Sequence, residues 1–313
     1  MNPQTFERFQ GMWWGSIVGQ AVANHNHSRR QMGIIDFPHQ HWLVERRQIA
    51  QLLLQSPRLA EIKLATGGGN LLSLLSLIIF DDDNQNLLIS IIGSEHLKLA
   101  NLEETTDIRA EILDILIWNY LLTLVLSHKL ESGTINFNLM LEKLFNNLNH
   151  LEIDATATLL TQKFKLVVEA INSGISLHNL LDKLSSNGNT KSTAIALSWY
   201  CFLTSPQDFK ISVQRAASIP NVGGLTAALT STLSGAYNGI TGIPYNWRIR
   251  MSQNLNYTLE NQLVSQLFKA WLGIYAIDGN QGLYNQKLDA VALSPMIQSR
   301  PTLKIISQKS RFN

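Results

Sequence analysis

The sequence predicts an all-α fold built as a single domain. Apolar residues recur at helical spacing through most of the chain, and few segments alternate with the two-residue period of a strand. Charged residues make up only 15% of the chain and hydrophobic residues 45%, a composition that suits a large buried core. We predict one helical domain over residues 1–289. Residues 290–313, which contain Pro295 and Pro301, are predicted to form a basic, flexible tail.

Charge, apolar runs and cysteine content narrow the class of protein. The net charge of +2, without a long Lys/Arg run, argues against nucleic-acid binding. The longest apolar stretch, Ile112–Leu126, contains Asp114 and Asn119 and falls short of the ~20 residues of a membrane span. The one cysteine, Cys201, has apolar neighbours and is predicted to be a buried, inert thiol. The first residues lack a signal-peptide pattern, so we expect a cytoplasmic protein.

The first helix is predicted over residues 7–23, where an apolar stripe recurs at three- and four-residue intervals. Its members are Phe6, Phe9, Trp13, Ile17 and Ala21. The same segment carries Gly11, Gly15 and Gly19 at four-residue spacing. Small residues at this spacing let a second helix approach closely, so we expect a tight helix pair here.

Further helices follow from the same periodicity. The second is predicted over Leu43–Ser56, ending before Pro57. The apolar run Leu71–Phe80 precedes an acidic turn at Asp81–Asn86, and β-branched residues at Leu87–Ile92 favour a short strand. Helices are then predicted over Glu104–His128, Phe137–Leu148, Ala155–Asn172, Leu177–Leu184 and Thr193–Leu203, and Asp208 is expected to cap the next one.

Three blocks resemble the ADP-ribosylglycohydrolase family, in the family's order and over roughly residues 5 to 285. The segment Asp208–Trp247, with its Gly235-Ala236-Tyr237 run, is similar to the last conserved block. The first helix is similar to the opening block except at Gln20, where the family carries aspartate. The segment Leu43–Ser56 is similar to the second block.

The resemblance implies the family's helical fold but not its reaction, because the family's aspartates hold two magnesium ions. In the last block these aspartates fall on Val222 and Gly224, or on Leu225 and Ala227 in the alternative register. None of these side chains offers an oxygen, and magnesium needs carboxylates. In the second block the aspartates fall on Glu45 and Arg46, with Arg47 next. We therefore expect the magnesium site to be lost, with no catalytic residue and no cofactor.

Two His-x-His pairs are the remaining metal candidates: His25 with His27, and His39 with His41. Imidazoles suit Zn²⁺, Ni²⁺ or Cu²⁺. Alternate residues share a face only on an extended backbone, and a loop setting would permit such a site. The alternative is that the histidines are solvated loop residues.

A ligand pocket is the second candidate site. The glycine pair Gly223–Gly224 after Asn221 begins a predicted helix, and a helix N-terminus can bind an anion. With Arg46 and Arg47 nearby and Glu45 beside them, the pocket would hold a phosphate-containing small molecule. The alternative is that the arginines pair with Glu45 or point to solvent. A second glycine run, Gly67–Asn70, lacks the Lys-Ser/Thr of a phosphate loop.

Three functions remain open from the sequence. The favoured one is a non-catalytic relative of the family that binds a ligand or a protein partner in a regulatory role. The second is an active hydrolase of ADP-ribosyl linkages with unusual metal ligands. The third is a structural subunit whose old cleft is filled by side chains.

Overall fold

The computed structural model describes residues 3–28, 41–55, 72, 114, 117–119, 121–126, 136–142, 159–185, 190–254, 257–271, 274–276 and 289–291. Within these ranges the chain is helical apart from one short two-stranded sheet, which confirms the predicted all-α class. No helix in the described ranges is long and apolar enough to cross a membrane.

The named elements, in chain order, are α1 (Pro3–Ser28), α2 (His41–Gln55), α3 (Leu159–Asn172), α4 (Leu177–Ser185), α5 (Thr190–Leu203), α6 (Phe209–Ala217), α7 (Gly223–Asn238), a 3₁₀ turn (Ile240–Gly242), α8 (Tyr245–Asn254), α9 (Tyr257–Trp271), β1 (Ile274–Ala276) and β2 (Asp289–Val291). Residues 117–119, 121–126 and 137–142 are also helical. The predicted helices at α2, α3, α4 and α5 are confirmed to within a few residues.

Two local predictions have different outcomes. Asp208 caps α6 as expected, because its Oδ1 accepts a hydrogen bond from the Ile211 backbone N–H at 2.9 Å. The first helix is longer than predicted and continues to Ser28, so the expected loop at His25 and His27 is wrong. No proline or glycine interrupts residues 20–28, and α1 therefore has no local reason to end earlier.

Several sequence predictions fall outside the described residues. They are the turn at Asp81–Asn86, the strand at Leu87–Ile92, the glycine run Gly67–Asn70 and the histidine at position 39.

Helices α1 and α7 form the centre of the molecule and pack in antiparallel directions. Gly11 of α1 lies against Gly235 of α7, and Gly15 lies against Ser231. One turn further along, Gly19 lies against Ala227. A Cβ atom at any of the three α1 glycines would come within 3.0 Å of α7 backbone atoms. The tight helix pair predicted from the glycine spacing is therefore present.

Several buried hydroxyl groups of α7 donate to carbonyl oxygens of the same helix. Thirteen of its residues are buried, including five serine and threonine residues without solvent exposure. The Ser231 Oγ donates to the Ala227 carbonyl oxygen at 2.7 Å, and the Thr232 Oγ1 donates to the Ala228 carbonyl oxygen at 2.7 Å. These bonds to the preceding turn remove most of the cost of burying a hydroxyl group.

Arg8 joins α1 to α7 and to the helical residues 121–126. Its Nε donates to the Ala236 carbonyl oxygen at 2.7 Å, in the last turn of α7, and its Nη2 donates to the Val125 carbonyl oxygen at 2.5 Å. A cation is favourable near helix C-termini, where carbonyl groups lack partners. Burial lowers the pKa of Arg8 to about 10, which leaves the guanidinium charged at neutral pH.

An aromatic core surrounds the far side of α5 and α7. Trp199 stacks on Phe137 with ring centroids 4.8 Å apart, and Phe202 meets the ring of Tyr237 at 5.8 Å. Cys201 lies among these residues without solvent exposure, and burial raises the pKa of its thiol to about 12. The predicted burial of Cys201 is therefore confirmed, and its surroundings disfavour the reactive thiolate.

The strands lie close to the predicted domain boundary. Ile274 pairs with Val291 and Ala276 with Asp289, in an antiparallel arrangement. Residues 290 and 291 of the predicted tail therefore belong to a sheet. Residues 292–313 lie outside the described part of the chain, and the division at residue 290 stays a prediction.

Candidate functional site

The candidate site lies where the first turn of α7 meets the side chain of Gln20 on α1. A Cβ atom at Gly224 would lie 3.1 Å from the Gln20 Nε2, so the carboxamide group of Gln20 covers this turn. The Gln20 Nε2 also lies 3.5 Å from the Asn24 Oδ1, one turn further along α1. The antiparallel packing of α1 on α7 brings these groups together. The side chain beside Gly224 is therefore a carboxamide.

The start of α7 has an unusual backbone but no side-chain cap among the described residues. Asn221 has φ 63°, in the left-handed region. The backbone strain there is modest, because asparagine adopts this region more readily than most residues. The Thr226 backbone N–H donates to the Val222 carbonyl oxygen at 2.9 Å, which begins the helical ladder. Gly223 is buried under the end of α6, with the position of a Cβ atom 3.2 Å from the Ala217 carbonyl oxygen. Close packing explains the glycine at position 223.

Arg46 of α2 is fully buried against α1. Its Nη1 donates to the Ser16 Oγ at 2.8 Å and to the Trp13 carbonyl oxygen at 3.3 Å. The guanidinium lies 3.9 Å from the ring centroid of Trp13 and 5.0 Å from that of Trp42, which gives favourable cation–π contacts. Burial lowers the pKa of Arg46 to about 10, and the carboxylate of Glu260 opposes part of this shift. Arg46 is thus a charged group enclosed by protein.

Glu260 in the first turn of α9 is the carboxylate that balances this charge. Its side chain is 1% exposed, and its Oε2 lies 3.8 Å from the Arg46 Nη2. The same oxygen accepts a hydrogen bond from the Trp13 Nε1 at 2.9 Å, and Oε1 accepts one from the Arg47 Nε. Glu260 therefore ties α1, α2 and α9 together.

Sequence reasoning missed Glu260, although a signal was present. It is the only acidic residue between positions 209 and 277. A lone acid in an apolar helical segment is a natural partner for a buried cation elsewhere in the chain. The sequence does not say which cation, because Arg46 and Arg47 lie far away along the chain.

Arg46 and Gly224, two residues of the predicted ligand pocket, lie at different turns of α1. Arg46 has no exposed surface, and Arg47, which is 35% exposed, is bound to Glu260. Gly224 lies at the level of Gln20, one turn of α1 or about 6 Å beyond the Ser16 that Arg46 contacts. Glu45 is half-buried on α2. The buried position of Arg46 leaves it no surface to offer a phosphate.

The first His-x-His pair does not lie on the extended backbone that would bring both of its imidazoles to one face. His25 and His27 lie on α1, and helical residues two positions apart point roughly 200° apart around the axis. His41 is the first residue of α2, and the histidine at position 39 lies outside the described residues. Across the described ranges, no group of three or more His, Cys, Asp or Glu side chains is arranged to hold a metal ion.

A second buried cation, Lys163 of α3, contacts the first turn of α5. Its Nζ donates to the Ser192 Oγ at 3.0 Å and to the Thr193 Oγ1 at 2.6 Å. Burial lowers the pKa of Lys163, and the nearby carboxylate of Asp114 opposes that shift. All four side chains are at most 5% exposed, so the cluster joins helices and offers nothing to a solute.

Comparison with known protein families agrees with this fold. The family model described as ADP-ribosylglycohydrolase matches residues 112–275, just over half of the chain. The matched interval contains α3 to α9, whereas the resemblance seen in the sequence also includes α1 and α2. The search of curated proteins returned no match. On the strength of the family match, this chain belongs to the ADP-ribosylglycohydrolase family.

Proposed function

We propose that this chain is a non-catalytic member of its family that acts by binding another protein. The observation that carries the proposal is the contact between Gln20 and Gly224. The sequence resemblance aligns position 20 with an aspartate of the family and position 224 with one of its metal-binding aspartates. Two positions far apart in the chain thus meet at one place, and neither carries a carboxylate.

The packing of α7 favours the sequence register on which this argument depends. In the register that places the family's aspartates on Val222 and Gly224, the second position lies beside Gln20. In the alternative register the second position is Ala227, which is fully buried against Gly19 in the tight helix pair. A carboxylate there would lack both space and solvent. The packing of α7 therefore supports the first register.

The groups at these positions do not fit magnesium. Mg²⁺ prefers oxygen ligands in octahedral geometry and is usually held by at least one or two carboxylates. Gln20 offers only a carboxamide, Gly224 has no side chain, and Arg46 brings a positive charge that is already balanced by Glu260. Glu45 is the one carboxylate at an aligned position, and Arg46 and Arg47 follow it directly in the sequence.

A protein partner suits the geometry better than a phosphate-containing ligand. The phosphate reading needs Arg46 at the surface, and Arg46 is enclosed between the rings of Trp13 and Trp42. The same observation favours a second candidate, a structural subunit whose cleft is filled by side chains. Both candidates are non-catalytic, and both predict that the cleft itself binds no nucleotide.

Two carboxylates restored at the candidate site test the loss of the metal. The variant Gln20→Asp with Gly224→Asp should bind Mg²⁺ in calorimetric titration, whereas the native protein should not. The shorter Asp at position 20 makes room for a side chain at position 224, whose Cβ would otherwise lie 3.1 Å from the Gln20 amide. The matched control, Gln20→Asn with Gly224→Asn, has the same shape without carboxylates and should not bind.

Activity measurements complete this test. Native protein should release no ADP-ribose from modified protein or from O-acetyl-ADP-ribose, with or without magnesium. Turnover by the native protein that EDTA abolishes would contradict the proposal and would favour an active hydrolase with unusual ligands.

A cytoplasmic location is also part of the proposal. It is supported by the single cysteine, which is a free and buried thiol in a chain of 313 residues. Small oxidising-compartment domains more often depend on disulfides. Fractionation of cells that express the tagged full-length chain measures the location directly.

A further inference from the structure

The turn between α5 and α6, residues 204–208, carries two hydroxyl groups at the surface of the protein. Thr204 is exposed and Ser205 is half-buried. Pro206 follows them, and because the residue before a proline is disfavoured in a helix, α5 ends before both hydroxyl groups. The turn is held in place by α7, since the Asn238 Nδ2 donates to the Pro206 carbonyl oxygen at 2.8 Å. These hydroxyl groups therefore have a defined position at the surface.

Arg215 of α6 donates to both hydroxyl groups. Its Nη1 contacts the Thr204 Oγ1 and lies 3.4 Å from the Ser205 Oγ. Arg215 is half-buried, and within the described part of the chain it forms no ion pair with a carboxylate. The contact differs from that of Arg46 with Ser16, which is enclosed in the core. A guanidinium group fixed on a surface hydroxyl is placed to pair with an anionic group attached to that hydroxyl.

Thr204 is the better acceptor of the two hydroxyl residues. It is the more exposed one, and its Oγ1 donates to the Tyr200 carbonyl oxygen at 2.8 Å, which fixes the direction of the side chain. Ser205 is nearer to the acid of this turn, because its carbonyl oxygen accepts a hydrogen bond from the Asp208 backbone N–H at 3.2 Å. A phosphate on Ser205 would meet more repulsion from the Asp208 carboxylate than one on Thr204.

We propose that Thr204 is a phosphorylation site whose phosphate group is bound by Arg215. A protein kinase supplies the reaction, in which the Thr204 Oγ1 attacks the γ-phosphorus of a nucleoside triphosphate. The Oγ1–P bond forms and the bond from that phosphorus to the bridging oxygen breaks. The hydroxyl proton passes to the kinase, and a nucleoside diphosphate leaves. The half-exposed Arg215 side chain moves outward to make room for the phosphate.

The phosphate would change the charge of this turn and the link between two helices. It adds a charge of about −1.5 to −2 at neutral pH, whereas the turn itself contains a single acid, Asp208. Its oxygens can accept charge-assisted hydrogen bonds from Arg215, which are stronger than the present bonds to neutral hydroxyl groups. Because Thr204 follows α5 and Arg215 belongs to α6, phosphorylation should tie these helices more firmly.

The site lies at the opposite end of α7 from the candidate functional site. Asn238, which contacts the turn, is fourteen residues or about 20 Å along the helix from Gly224. The inference therefore goes beyond the proposed function and does not depend on it. The magnesium and ADP-ribose measurements do not involve this turn, so their failure is distinguishable from failure here.

Phosphothreonine placed at position 204 of the full-length chain tests the pairing. Phosphorus NMR measures the pKa of its phosphate, which is ordinarily about 6. This pKa should be about one unit lower with Arg215 present than in the Arg215→Ala variant, because a nearby cation favours the dianion. The phosphorylated chain should also melt at a higher temperature than the unmodified chain, and Arg215→Ala should remove the difference. Lys165→Ala, which removes an exposed cation on α3, is the matched control and should leave the phosphate pKa unchanged.

Mass spectrometry tests whether the modification occurs. The tagged full-length chain is purified from growing and from starved cells of its source, in the presence of phosphatase inhibitors. Phosphate should be found on the peptide that contains Thr204, should be lost in Thr204→Val and should persist in Ser205→Ala. Circular dichroism of each variant shows whether it is folded. Absence of phosphate at Thr204 under both conditions overturns the inference. A phosphate pKa that is the same with and without Arg215 overturns it as well, because Arg215 then only braces the turn.

Discussion

Arg46 and Glu260 form an ion pair inside the protein, with the Arg46 Nη2 3.8 Å from the Glu260 Oε2 and neither side chain more than 1% exposed. The pair joins α2 to α9, and Trp13 of α1 contacts both partners. Two charges removed from water are stable only when each has its partner and hydrogen bonds. This relationship explains how α2 carries a fully buried arginine without disrupting the helical packing.

Removal of Glu260 should destabilise the fold strongly. Glu260→Ala leaves Arg46 and Arg47 without their carboxylate and Trp13 without its acceptor. Loss of one partner of a buried ion pair typically costs about 3–5 kcal/mol. Urea unfolding measures the change in the free energy of unfolding. The exposed Glu169→Ala is the control and should change it by less than about 0.5 kcal/mol. Equal effects of the two substitutions would refute a central role for Glu260.

The glycines of α1 and α7 should respond to alanine in opposite ways. Gly15→Ala places a Cβ within 3.0 Å of the Ser231 backbone and must push α1 away from α7. Such overpacking costs about 1–3 kcal/mol or more. Gly224→Ala meets only the end of the flexible Gln20 side chain and should be neutral or stabilising, because alanine favours the helix. Thermal unfolding of both variants checks the contrast. A native-like melting temperature for Gly15→Ala would show that the helices are not in close contact.

Cys201 should be chemically silent in the native protein. Burial raises the pKa of its thiol from 9.0 to about 12, so the reactive thiolate is scarce at pH 8. Because the folded-state pKa is raised, the stabilising contribution is present below pH 9 and is lost as the pH rises toward 12. Iodoacetamide labelling followed by mass spectrometry should modify one site in urea and none in native buffer. Stoichiometric labelling of native protein at pH 8 would contradict the buried position.

Much of the helical framework was accessible from the sequence, because the signals are local. The apolar periodicity of α2 to α5 lies within each segment, and the capping by Asp208 involves a backbone group three residues away. The glycine spacing of α1 indicated a close helix neighbour. It did not indicate which helix, because Ala227, Ser231 and Gly235, which are also small and four residues apart, lie in a distant segment that no local signal assigns to α1.

The candidate site was likewise predictable from the sequence only in part. By itself, the sequence determined that Gln20, Val222 and Gly224 lack the carboxylates that magnesium requires, since side-chain chemistry depends only on residue identity. Only the tertiary structure decided that the Gln20 side chain lies beside Gly224. It also decided that Arg46 and Arg47 pair with Glu260 rather than with a ligand. The physical reason is that the packing of the whole chain selects which distant segments pair. A buried charge needs an oppositely charged partner, and no local sequence pattern encodes which residue that partner is.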